Sequence, residues 1–341
     1  MTPGNIPTSV LEQYGLAGAT LTPITAGHIN ATLAVEHQGR KLVIQRLSKI
    51  FGEEIHEDIE AVTRHLAMKG MVTPLLVPTR TGASFARDEE SNVYRVFTWV
   101  TGDTHLKATS PAMCEAAAEL LGRFHFALAD LKHAFKNKRG NIHDTPKHVA
   151  KLEKVLATHA SHACFGAVEP VCRRILERLA GLPSLASLPV RVVHGDPKIS
   201  NVMFTPAGEA LCLVDLDTLG PANIAVELGD GLRSWCNPQA EDSLESSIDL
   251  EFFAAAVRGY LRGAKGLPTS AETEMIPIGV ETIALELAAR FATDALEENY
   301  FGWDKTRFER SSDHNLLRAK AQLIVADAMH AKRDAALKLL K

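Results

Sequence analysis

The chain has 341 residues, 46% of them hydrophobic and 23% charged, with a formal net charge of −4. A length beyond the usual single-domain range predicts two lobes sharing one cleft, and the composition excludes extended disorder. Without a basic block or an arginine-rich helix there is no electrostatic footprint for nucleic-acid binding, so no nucleic-acid partner is expected.

The N-terminus lacks a basic start followed by an apolar run, and no stretch approaches about eighteen uninterrupted apolar residues, so neither secretion nor membrane spanning is expected. Five scattered cysteines without a C-x-x-C pair argue against a disulfide framework or zinc knuckle and point to the cytoplasm.

Residues 20–46 alternate as strands do, broken at Gly27, with Gln38-Gly39 as a hairpin turn. Over 54–69, Ile55, Ile59, Val62 and Leu66 recur at helical spacing, and Gly70 ends the run. Strand-like runs follow near 84–87 and 92–100, the second ending at Gly102, where the pattern turns helical. Helical patterns then cover about 111–135, 146–161, 167–181, 250–262, 274–300 and 313–340, with a strand island at 190–217. The expected class is α+β, with a β-rich lobe carrying one helix at 1–101 and a larger helical lobe at 102–341.

The chemistry concentrates in VRVVHGDPKISNVMFTPAGEALCLVDLDTLG, residues 190–220. One apolar strand delivers His194-Gly195-Asp196 and a second delivers Asp215-Leu216-Asp217. Phosphoryl transfer from ATP needs a carboxylate beside the acceptor hydroxyl, hard oxygen ligands for magnesium, and a cation near the transferred group. Asp196 would orient the hydroxyl and accept its proton, Lys198 would approach the γ-phosphate, and Asn201 would offer its amide oxygen to Mg2+. Asp215 would hold magnesium, with Asp217 serving a second ion or the acceptor. Singly these residues are common in turns; their spacing between two apolar strands carries the reading.

HGD-x4-N followed by LVDLD resembles the aminoglycoside phosphotransferase and choline kinase superfamily, relatives of the protein kinases. The resemblance implies an ATP- and magnesium-dependent kinase of two-lobed, protein-kinase-like fold acting on a small molecule. GHIN-x-T, VIQRL, DI-x-x-VT-x-HL, HDTPK at 143–147, RF-x-TD and HNL-x-RA-x-x-Q resemble the N-acetylhexosamine 1-kinase branch, from about residue 23 to 325.

By that resemblance the loop Gly27-His28-Ile29-Asn30 would cover the phosphates, since glycine lets backbone amides approach an anion. The next strand departs from the kinase pattern, with Gln45 or Arg46 where lysine is usual; Arg46 is kept as the phosphate partner. Glu57 would orient that cation, with Glu60 next. Phe97 and Val100, in 95–100, occupy the hinge position, where apolar side chains would sandwich adenine. Asp230 and Arg233 match a D-x-x-R pairing and read as scaffold.

For the acceptor, Arg290, Asp294 and His314 join Asp196, among polar residues that include Tyr300, Asn315 and Arg318. Groups of mixed sign suit a neutral polyol, whereas a polycation favours acidic or aromatic walls. Equally, Arg290 and Asp294, one turn apart, would pair with each other. The resemblance implies anomeric phosphorylation of a hexosamine or hexose. The alternatives are a choline- or aminoglycoside-type kinase and a nucleotide-binding pseudokinase, the latter resting on the missing strand lysine.

His159, His162 and Cys164 lack a fourth ligand and read as surface residues rather than a metal site. Walker A, G-x-G-x-x-G, H-E-x-x-H and G-x-S-x-G patterns are absent from the sequence. Oligomeric state stays open.

Overall fold

The computed structural model describes residues 6–24, 30–137 and 142–340. Contacts divide the chain into two units, Met1–Gly102 with Asp130–Gly140, and Asp103–Ala129 with Asn141–Lys341.

The first unit opens with α1 (Thr8–Gln13) and is built on a wholly antiparallel sheet of β1 (Thr20–Pro23), β2 (Ala31–His37), β3 (Arg40–Arg46), β4 (Leu76–Val77), β5 (Ala86–Arg87) and β6 (Val93–Thr98). The spatial order is β1-β2-β3-β6-β4, with β5 on β6. Gln38 and Gly39 both take positive φ, 49° and 75°, which makes the tight β2–β3 hairpin. Leu33, Val35, Leu42, Ile44, Tyr94 and Val96 share one face and bury against Val10 and Leu11 of α1. The period of two turns Gln45 and its register partner Arg95 to the other face.

Helix α2 (Ile55–Met68) buries Ile55, Ile59, Val62 and Leu66 and stops before Gly70, whose φ is 76°. Its buried acid is Asp58, which accepts from His133 Nε2 (2.7 Å) and from the amides of Lys136 and Asn137 (2.8 Å each). The chain after the next helix therefore returns to α2 instead of extending that helix to 135.

The second unit comprises β7 (Asp103–Thr104), α3 (Pro111–Leu128), α4 (Thr145–Thr158), α5 (Phe165–Ala180), β8 (Arg191–Val193), β9 (Val202–Phe204), β10 (Ala210–Leu213), β11 (Gly220–Ala222), α6 (Ile224–Trp235), α7 (Leu250–Ala264), α8 (Ser270–Glu274), α9 (Ile276–Glu297) and α10 (Ser311–Leu339). β10-β9-β7 and β11-β8 form two small antiparallel sheets. α9, apolar on nearly every side, packs against α4, α5, α6 and α10. α3 and α7 approach through glycines: a Cβ on Gly259 would lie 2.1 Å from the Glu115 carbonyl oxygen, and one on Gly263 2.2 Å from that of Glu119.

All five cysteines are free and buried. Among the described residues no helix is long and apolar enough to cross a membrane.

Candidate functional site

β8 brings the chain to His194, whose side chain is fully buried behind Phe124. Its Nε2 donates to the Val214 carbonyl oxygen (2.9 Å) while Nδ1 accepts from the Asp196 amide (3.3 Å). Burial pushes the imidazole pKa down, and this neutral tautomer ties the two strand ends together. The His194 and Gly195 amides donate to the two carboxylate oxygens of Glu227 on α6, at 2.8 and 2.9 Å. Gly195 has φ +85°, and a Cβ there would stand 2.4 Å from the Thr218 carbonyl oxygen, so the turn admits only glycine without rearrangement.

That turn presents Asp196. Its Oδ2 accepts from Lys198 Nζ at 2.5 Å and from Asn201 Nδ2 at 3.1 Å, and Asn201 Nδ2 also donates to the Asp196 carbonyl oxygen at 2.8 Å. The Asp196 side chain is 19% exposed and that of Lys198 40%, so the pair sits at an accessible surface. Burial acts to raise the Asp196 pKa, but the Lys198 charge and hydrogen bond outweigh it and hold the carboxyl below its ordinary range. Burial likewise acts against the Lys198 ammonium, and Asp196, then Asp215 and Asp230, keep its pKa raised.

Asp215 follows β10 at φ 63°, ψ 60°, a left-handed conformation that costs energy for any residue with a Cβ. The Val214 amide donates to the Asn201 carbonyl oxygen at 2.9 Å, which sets the second carboxylate loop beside the first. Asp217 lies in the following 3-10 turn and is 2% exposed.

Sequence reasoning missed Glu227 as an anchor. It is fully buried, and His125 Nε2 approaches its Oε1 to 3.7 Å while His125 Nδ1 meets the Tyr260 hydroxyl at 2.9 Å. Burial works to raise the Glu227 pKa, but the nearby His125 imidazole and the backbone donors win and lower it. Trp235 Nε1 adds a bond to the Pro197 carbonyl oxygen at 2.9 Å. Gly229 and Gly231 weaken the helical signal of 224–235, which is why the element went unrecognised.

The other expected residues have the following surroundings within their own units. In the first unit, Gly27 falls outside the described residues. Asn30 Oδ1 accepts from the Ser48 amide at 2.9 Å. Arg46 is bonded to Asn92 Oδ1 at 2.8 Å, on the sheet face opposite Gln45. Gln45 Oε1 accepts twice from buried Arg95, at 2.9 and 2.8 Å. Glu57 is exposed and Glu60 pairs with Arg64 at 2.5 Å. Phe97 is buried with the Arg95 guanidinium over its ring at 5.0 Å, and Val100 is half-buried.

In the second unit, Asp294 accepts from the amides of Asn299 (3.0 Å), Tyr300 and Phe301 (2.8 Å each) and from Asn315 Nδ2 (3.0 Å). It shapes the turn after α9 and does not pair with Arg290, which lies over Phe301 at 5.7 Å and has no ion-pair partner among the described residues. His314 uses both nitrogens, Nε2 toward Asp242 (3.1 Å) and Nδ1 toward the Asp304 amide (3.2 Å), and stacks on Phe308. Asp230 and Arg233 pair at 2.5 Å.

The model of the phosphotransferase enzyme family matches residues 20–269. The chain belongs to that family. This phosphotransferase is thus an enzyme of the small-molecule kinase class. Its fold is similar to that of an aminoglycoside phosphotransferase from Alicyclobacillus acidocaldarius (18% identity, TM-score 0.63, 97% of each chain covered). It is also similar to the amicoumacin kinase hAmiN in complex with AMP-PNP, Ca2+ and Ami (15%, TM-score 0.64, covering 93% of this chain and 91% of that one). A third similar structure is a choline/ethanolamine kinase family protein from Mesorhizobium loti (19%, TM-score 0.56, 95% and 94%). The α+β, kinase-like architecture of the phosphotransferase is that of these proteins.

The donor set suits a divalent ion held partly by phosphate. Among the described residues no three His, Cys, Asp or Glu side chains gather as a metal cluster. Asn201 Nδ2 is committed to Asp196, which leaves Oδ1 as an oxygen donor. Few protein oxygens completed by phosphates and water is the usual mode for Mg2+.

Proposed function

We propose that this phosphotransferase moves the γ-phosphoryl group of ATP to a hydroxyl of a sugar or amino sugar, in the manner of the N-acetylhexosamine 1-kinases, in the cytoplasm. The β-rich unit would bind nucleotide and the helical unit the acceptor. The observation that carries the reading is the Asp196 carboxylate held ionised by Lys198 at 2.5 Å and fixed by Asn201 at 3.1 Å.

Asp196, ionised and with Oδ1 free of the Lys198 and Asn201 bonds, takes the hydroxyl proton as the acceptor oxygen attacks the γ-phosphorus. Lys198, bonded to that carboxylate, brings its ammonium to the phosphoryl oxygens as the bond to the ADP leaving group lengthens. Asn201 and Asp215, with Asp217 as the further candidate, would hold Mg2+, which supplies charge neutralisation of the β- and γ-phosphates.

Charge balance favours a neutral acceptor. Asp196 and Asp230 are matched by Lys198 and Arg233, and Arg290 adds a cation with no carboxylate partner among the described residues. With Asp215 and Asp217 given to Mg2+, a polycation would meet little uncompensated negative charge at these pairs. An amino-alcohol or antibiotic acceptor is the second reading, favoured by the similarity to an aminopropanol kinase (16% identity, TM-score 0.60) and to the kinases above.

ADP release with MgATP over N-acetylglucosamine, N-acetylgalactosamine, glucosamine, glucose, choline and kanamycin separates the two. Turnover of an amino sugar, falling about 10²- to 10⁴-fold in Asp196→Asn as expected for loss of a general base, supports the first reading. Turnover confined to choline or kanamycin moves the acceptor to the second.

A further inference from the structure

Helix α6 meets the 194–201 loop along one face. Glu227 takes the His194 and Gly195 amides, and Ser234 Oγ receives the Ile199 amide at 3.5 Å. Asp230, three residues after the first and four before the second, lies on that same face. It is 1% exposed. Its Oδ1 accepts from Arg233 Nε at 2.9 Å and Nη2 at 2.5 Å. Its Oδ2 is buried and has no hydrogen-bond partner among the described residues.

An unmet buried acceptor of this kind is costly, more so when charged, and native proteins keep few of them without a ligand or a functional reason. The charge of Asp230 reaches both Lys198 and His143, helping to raise the pKa of each. Asp230 stands between Glu227 and Ser234, both bonded to the loop that carries Asp196, so the pair with Arg233 lies along that loop.

Resting on the phosphoryl-transfer reading above, we propose that Asp230 Oδ2 is an acceptor-binding contact, receiving a hydrogen bond from a hydroxyl or amide N–H of the molecule whose reacting hydroxyl lies at Asp196. Arg233 already matches the carboxylate charge, so a neutral donor completes the site and an ammonium adds little. Asp230 selects and orients; it takes no proton in the reaction.

The substitution Asp230→Asn keeps an oxygen acceptor for Arg233 and turns the unmet oxygen into a donor, while also neutralising the carboxylate; thermal melts of the variant read the second effect separately. Wild type and variant, saturated with MgADP, are titrated calorimetrically with N-acetylglucosamine, glucose and choline. The expected result is sugar binding to wild type that weakens at least tenfold in Asp230→Asn, with MgADP affinity within twofold; Asp230→Ala adds a further loss of thermal stability, since it takes from Arg233 its close hydrogen-bonded partner and leaves only Glu241, at 3.9 Å. Unchanged sugar affinity in Asp230→Asn, which an oxygen met only by water requires, overturns the proposal. So does a parallel loss of sugar and MgADP binding, the signature of a purely structural pair. Wild type that binds choline alone, or none of the three, overturns it as well. Persistence of transfer in Asp196→Asn defeats the general-base reading alone and leaves the binding comparison standing.

Discussion

Glu227 anchors the turn that carries the Asp196 carboxylate. Both its oxygens serve the backbone of the turn that presents Asp196. Glu227→Ala should leave two buried amides unmet, at about 1–3 kcal/mol each, and lower the melting temperature by several degrees together with kcat. Glu227→Gln, which keeps one acceptor, should fall between; thermal melts and steady-state rates on the three proteins check the order. The gathering of Asp196, Lys198 and Asn201 about one carboxylate was legible in the sequence because short spacing across a turn dictates it. Arg46 and Glu57 were not legible in that way. Which face a strand residue takes depends on register with β6, and the pleat gave Gln45 to Arg95 and Arg46 to Asn92. On α2 the helical phase exposes Glu57 and buries its neighbour Asp58.

At the scale of elements, the start of α4 is fastened to the middle of α9. Buried Glu286 accepts from His143 Nδ1 at 2.9 Å and Thr145 Oγ1 at 2.5 Å. Burial acts to lower the His143 pKa, yet the Glu286 charge and hydrogen bond raise it overall, with Asp230 adding to the rise and Arg290 opposing it. The folded protein thus holds this proton more tightly than the unfolded chain, whose histidine titrates near about 6.5. The stabilisation is complete below that pH and is lost as pH rises through the raised folded value. Thermal melts in steps from pH 6 to 9 should decline in wild type and lose that component in His143→Gln. Helix ends were less legible than helix existence. α9 ends at Glu297 because Glu298 turns left-handed, φ 52°, and Asp294 collects the next amides, a closure that periodicity alone does not encode. α3 ends at Leu128 because the following chain is claimed by Asp58, a partner more than seventy residues away.

For the whole molecule, the order of a β-rich part followed by a helical one was legible as a change of hydrophobic period from two to 3.6. What holds the helices at their separation was not. α3 and α7 depend on an absent side chain at Gly259, where an added methyl would sit 2.1 Å from a backbone oxygen. Gly259→Ala should force the pair apart and cost about 1–3 kcal/mol or more through overpacking, read as a lower denaturation midpoint with an unchanged slope.

The buried thiols carry a practical consequence. Burial pushes Cys114, Cys172 and Cys212 up to about 12 and Cys236 well above its usual value, and all five sulfurs lie out of solvent. A maleimide dye should therefore ignore the native chain and react with an engineered cysteine at Met68, 78% exposed in the first unit, or Val190, 70% exposed in the second. The natural sequence is already a silent background for two-colour fluorescence, through which the distance between the first and second units can be followed one molecule at a time.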